Sequence, residues 1–179
     1  QSIRLRNEKV ASLTETISRN LPKLDPVHAN GGPDATLIEK QDAFTDVMLA
    51  ALISGLTNVV TYTIDYLGTP ITGLPGNETD RVGIHPLGHD EAFGGVPAWK
   101  TREQIRISHV NQINTIIEKL KQVPEGKGTM FDNTMIMYFP ENGETHHGVG
   151  SEAPFLIMAG NNCNLDMSGR YVRLPFLGN

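Results

Sequence analysis

Four of the six histidines in this 179-residue chain fall in two short polar segments, His85 to Asp90 and Glu141 to His147, with carboxylates beside the imidazoles in each. These side chains bind divalent metal ions and exchange protons near neutral pH. His85 and His89 are four residues apart. A helix would set both on one face, and a loop bent at Pro86 and Gly88 can still turn both toward one ion, with Asp90 as a third, oxygen ligand. In the second segment Glu141 and Asn142 offer a carboxylate and an amide oxygen, which suit calcium or magnesium. Adding His146 or His147 shifts the preference toward zinc, manganese or iron. Glu144 reads as solvent-facing, because Glu141 stands nearer the preceding strand. The competing readings are two surface-loop histidines and an ordinary acidic turn.

The second segment follows Thr134 to Phe139, a run that reads as a buried strand, and open α/β sheets place their sites at the carboxyl ends of strands. Upstream, Ile3, Val10, Leu13 and Ile17 mark one face of an amphipathic helix that Pro22 stops. After a Pro- and Gly-rich loop, Leu37 to Leu56 turns helical with an apolar stripe at Phe44, Val47, Met48, Ala51 and Leu52, and Gly55 as its end. Asn58 to Ile64 reads as a first strand, and 65–99 as a long loop holding the first histidine pair. Thr101 and Gln104 resemble a capping box opening a helix that runs to Pro124. Strands follow at 134–139 and 154–159, with a fourth at Arg170 to Leu174. This order predicts one α/β domain over 1–179 with a mainly parallel sheet flanked by helices.

The remaining groups default to structural work. His28 lies in a loop and His109 on a packing helix; Asp132 and Asn133 make a turn before the strand; Phe93 and Trp99 anchor the long loop. Cys163 has no partner for an internal disulfide and reads as a quiet thiol. Asn77 to Thr79 fits the glycosylation sequon. No nucleophile-elbow pattern surrounds any serine, so a Ser/His/Asp hydrolase has no support. A net charge of -5 with scattered lysines and arginines argues against a nucleic-acid partner. No apolar run approaches the roughly 20 residues of a transmembrane helix. With neither a signal peptide nor an initiator methionine, Gln1 is expected to be the edge of a processed or partial chain.

From residue 40 onward the chain resembles the HXXSHH-type family of uncharacterised bacterial proteins. The resemblance rests on Leu56 to Val60, His85 to Asp90, Pro124 to Thr129, Asp132 to Thr134, Glu141 to His147, Pro154 to Gly160 and Gly169 to Tyr171. His85 and His89 stand at the first and second histidines of the naming motif, while Gly88 replaces its serine and Asp90 its last histidine. The resemblance implies an exported protein, periplasmic or in the cell envelope, remotely related to the alkaline phosphatase and sulfatase superfamily. It also implies an alkaline-phosphatase-like carboxyl-terminal part whose turn at Glu141 and His146 or His147 supplies metal ligands. That superfamily draws its nucleophile and first metal-binding aspartate from an amino-terminal half, so other chains or a missing half are expected as partners.

Two functions follow as expectations. One is hydrolysis of small anionic phosphate or sulfate esters with a divalent ion (zinc, calcium, magnesium or manganese) held by His85, His89, Asp90, Glu141, Asn142, His146 and His147. The other is a non-catalytic exported structural or interaction protein that keeps the scaffold without the chemistry.

Overall fold

The structure, a computed structural model, describes residues 36–65, 70–74, 81–140, 155–166 and 169–173, together with Arg4, Asn7, Glu8, Ala11, Ser12, Thr14 and Glu15. Those seven amino-terminal residues are helical and exposed, the wet positions of the expected first helix; its apolar stripe lies outside the described residues. Arg4 and Glu8 pair across one turn at 2.9 Å.

Helix α1 spans Leu37–Ile53. Its start is written in a capping box: the Thr36 hydroxyl accepts from the Glu39 amide at 3.2 Å while the Glu39 carboxylate accepts from the Thr36 amide at 2.7 Å. Its end is the expected Gly55, at φ +73°, where the amides of Gly55 and Leu56 donate back to Leu52 and Ala51. The buried face differs from the expected stripe. Gln41, Thr45, Leu49 and Ala50 turn inward, whereas Phe44 and Val47 are exposed. The cause is polar pairing: Thr45 accepts from Gln112, and the Gln41 amide donates to the carbonyl of Ile64 at 2.7 Å.

Residues 58–64 were expected as a strand; among the described residues they join no ladder and run along α1, where the Tyr62 hydroxyl donates to the Gln41 carbonyl. Strands β1 (Pro70–Ile71) and β2 (Val82–Gly83) pair antiparallel and lead into the short helix α2, Ile84–Gly88. Helix α3, Ala98–Lys121, is the spine of the fold, about 36 Å long at 1.5 Å per residue. It begins at Ala98, three residues before the expected cap, because Pro97 sets the first turn and its carbonyl accepts from Lys100 and Thr101. Thr101 is accordingly fully buried within the helix.

Two apolar clusters hold α3. Ile71, Leu74, Val82, Leu87, Ala98 and Ile105 close around its amino-terminal half. Leu49, Ile116 and Leu120, flanked by Met130, Phe131 and Ile136, close around its carboxyl-terminal half. Each buried valine, leucine or isoleucine among them contributes about 1.5–3 kcal/mol.

The hairpin β3 (Pro124–Glu125) and β4 (Gly128–Thr129) reverses at the predicted turn, and a 3-10 turn at Met130–Asn133 leads to β5, Met135–Tyr138. Strand β6, Leu156–Ala159, pairs antiparallel with β5, Met135 opposite Ala159 and Tyr138 opposite Leu156. The sheets seen among the described residues are these three antiparallel pairs. Arg170 to Arg173 join no ladder there. Behind β5, Asp132 acts as expected in the turn: its carboxylate accepts from the Thr129 amide and hydroxyl, both at 2.8 Å, and from Asn161 at 3.1 Å. No described helix is long and apolar enough to cross a membrane.

Candidate functional site

The mid-chain histidines stand together. β2 delivers the chain to α2, whose Leu87 is buried, and His85 and His89 then face outward one turn apart. Their ring centroids are 5.2 Å apart at an interplanar angle of 43°. Both are exposed. Asp90 follows at φ +62°, a left-handed step that Asp tolerates better than most residues. Its carboxylate accepts from the Arg102 guanidinium at 2.9 Å, and the same Nη1 donates to the Leu87 carbonyl. The expected third ligand is therefore engaged in docking α2 onto α3. Among the described residues no three of His, Cys, Asp or Glu gather as a metal site. Glu141, Asn142, His146 and His147 lie outside the described residues, as does His28.

Four residues further along α3, Arg106 reaches a second element: its guanidinium donates to the Tyr138 hydroxyl at 3.0 Å, at the carboxyl end of β5. Phe139 and Phe155 then stack at 5.4 Å with an interplanar angle of 9°, so the two ends of the 140–154 connection stay side by side. One turn of α3, about 6 Å of rise, thus separates the arginine that holds the His85 to Asp90 segment from the one that holds the strand leading into Glu141 to His147.

The buried His109 was assigned by sequence to packing alone, yet both its ring nitrogens carry specific partners. It is 2 % exposed; Nε2 meets the Asp65 carboxylate at 3.0 Å and Nδ1 the Tyr138 hydroxyl at 2.9 Å. The donor inventory fixes the direction of two of these bonds. Guanidinium only donates and carboxylate only accepts, so the Tyr138 oxygen accepts from Arg106 and His109 Nε2–H donates to Asp65. In a neutral ring with its proton on Nε2, Nδ1 accepts from the Tyr138 hydroxyl, whereas a protonated ring donates from both nitrogens. Asp65, Arg106, His109 and Tyr138 come from three separate segments. The readable signal was the placement of Arg106 and His109 three residues apart on a helix whose neighbours Ile105 and Ile113 are buried.

A groove of about 360 Å³ lies elsewhere, between α1 and α3, lined by Gln41, Asp42, Ser108, Asn111 and Gln112 among others. The Gln112 amide nitrogen donates to Thr45 at 2.9 Å, and its carbonyl oxygen is buried with no partner among the described residues. Beside it, burial pushes the Tyr62 phenol up from its ordinary value, opposed by hydrogen bonds with Thr45 and Gln112. This groove is amide-lined and distinct from the exposed imidazole pair. Cys163 is half-buried, its thiol against the Thr134 carbonyl at 3.4 Å, consistent with a quiet role.

Compared with protein-family models, curated proteins and solved structures, the chain finds no match.

Proposed function

We propose that this chain is the carboxyl-terminal part of an exported α/β protein of the alkaline phosphatase and sulfatase kind, a metal-dependent hydrolase of small phosphate or sulfate esters. The observation that carries the reading is the spacing of Arg102 and Arg106. One turn of α3 docks both the segment bearing His85 and His89 and the strand end that precedes Glu141, Asn142, His146 and His147. Two exposed imidazoles 5.2 Å apart fit a pair of ligands to a transition ion. Glu141, Asn142 and His146 or His147 would complete the set. Asp90, taken by Arg102, does not fit as a ligand in this arrangement. The ion's contribution would be to stabilise oxyanion charge on the ester. The mainly parallel sheet belongs to this same reading, with further strands supplied by the rest of the protein or by another chain.

The test is turnover of 4-nitrophenyl phosphate and 4-nitrophenyl sulfate by the protein loaded in turn with zinc, manganese, magnesium and calcium. Turnover abolished by chelation and by His89→Ala supports the reading. Absence of turnover with every ion, or turnover indifferent to chelation, contradicts it.

The engagement of Asp90 by Arg102 favours one second reading, a non-catalytic exported scaffold. It predicts the same fold and no turnover.

A further inference from the structure

We infer that Tyr138 is a catalytic proton-transfer residue of this site, with His109 and Asp65 as the positioning residues that drive it; the inference rests on the ester-hydrolysis reading. With the His109 ring neutral and its proton on Nε2, the hydrogen bonds run in one sense, from Arg106 to the Tyr138 oxygen, from the Tyr138 proton to His109 Nδ1, and from His109 Nε2–H to Asp65. That sense draws the phenolic proton inward and sets a cation against the oxygen it leaves. It is the arrangement by which a histidine, oriented by a carboxylate, activates a hydroxyl. His109 is sealed, so it reaches reacting groups only through a partner. Tyr138 is half-buried and closes β5, which makes it the outlet of the chain of bonds. A purely structural cluster needs only that each polar atom be satisfied; it does not need the cation, phenol, imidazole and carboxylate in series.

In the step so defined, a water on the Tyr138 oxygen gives that oxygen a proton as its own oxygen bonds to phosphorus or sulfur. The Tyr138 proton passes to Nδ1 of His109, and Asp65 stabilises the imidazolium. The bond to the ester oxygen breaks, and the departing alkoxide takes the proton back from His109 through Tyr138. One water is consumed, an alcohol and phosphate or sulfate are released, and the relay returns to its starting state.

Two measurements on the whole chain test this. Nitrogen-15 NMR of the His109 ring is expected to show the proton on Nε2 and an accepting Nδ1; a proton on Nδ1 in the neutral ring overturns the relay without reference to activity. On 4-nitrophenyl phosphate, Tyr138→Phe is expected to lower kcat by about 10²–10⁴-fold, the usual worth of general acid–base catalysis, with KM retained. The solvent deuterium isotope effect of the unaltered protein should vanish in the same variant. Asp65→Asn, which keeps the buried shape, should give a smaller fall of the same kind. Full kcat in Tyr138→Phe overturns the relay alone, whereas no turnover by the unaltered protein with any ion overturns the hydrolase reading beneath it.

Discussion

The hydroxyl of Tyr138 lies 2.9 Å from Nδ1 of His109, joining the last residue of β5 to the buried face of α3. The contact does two things at once. It fixes the end of the strand from which residues 140–154 depart, and it gives the buried Nδ1 of His109 a partner while Nε2 is held by Asp65.

Removing that hydroxyl therefore has a structural consequence apart from any chemistry. Tyr138→Phe leaves His109 Nδ1 without this partner and deprives Arg106 of an acceptor, and is expected to cost about 1–3 kcal/mol. Urea unfolding reads it as a lower midpoint at unchanged slope. A midpoint equal to that of the unaltered protein shows the contact to be energetically idle.

Glycine is required at 160 by contact and at 55 by backbone conformation. A Cβ at Gly160 would meet the Phe131 carbonyl oxygen at 2.0 Å and the Asp132 Cα at 2.6 Å, so Gly160→Ala must push apart the turn that feeds β5, at about 3 kcal/mol or more. Gly55 has φ +73° and open space around it, so Gly55→Ala carries only the left-handed penalty of about 1–2 kcal/mol. Thermal unfolding of the pair checks the order, and a milder effect at 160 than at 55 refutes the close packing behind β5.

Hydrogen bonds from the Thr129 amide and hydroxyl hold the Asp132 carboxyl below its ordinary value of 3.8, with Asn161 adding to them. A carboxyl depressed by folding contributes stability that is complete above the unfolded value and fades as pH falls through the folded one. The difference in stability between the unaltered protein and Asp132→Asn should hold from neutral pH down to about 4 and shrink below it. Chemical denaturation across that range measures it; a difference that grows on acidification would reverse the sign.

Arg102 spans from α3 to the Leu87 carbonyl and the Asp90 carboxylate, the latter 76 % exposed. An exposed ion pair is worth at most about 1 kcal/mol, so Arg102→Ala should change global stability little. Its expected effect is local. Amide hydrogen exchange should quicken across 84–90 and stay unchanged in β5. Uniform change across both segments would show that Arg102 supports the core rather than the histidine pair.

Local chemistry was the legible part of this sequence. The end of α1 at Gly55, the turn at Gly126 and the work of Asp132 follow from backbone preferences that neighbours only reinforce. The buried face of α1 was not legible, because Gln41 and Thr45 turn inward to meet partners 23 and 67 residues away, while Phe44 stays wet. The same holds for the site. Pro86 and Gly88 favoured a loop around His85 and His89, where a short helix forms instead, and the tie between Asp90 and Arg102 and the series through His109 depend on contacts across 12, 29 and 32 residues. A polar residue on a packing helix looks identical from sequence whether it merely satisfies its bonds or transmits a proton.

Metal stoichiometry after purification in each of the four ions, measured on the unaltered chain, His89→Ala and Glu141→Ala, bears most directly on whether the two histidine segments share an ion. One bound ion per chain, lost in both variants, is the predicted result. An unaltered chain that holds no stoichiometric ion, or one whose ion survives Glu141→Ala, contradicts a shared centre.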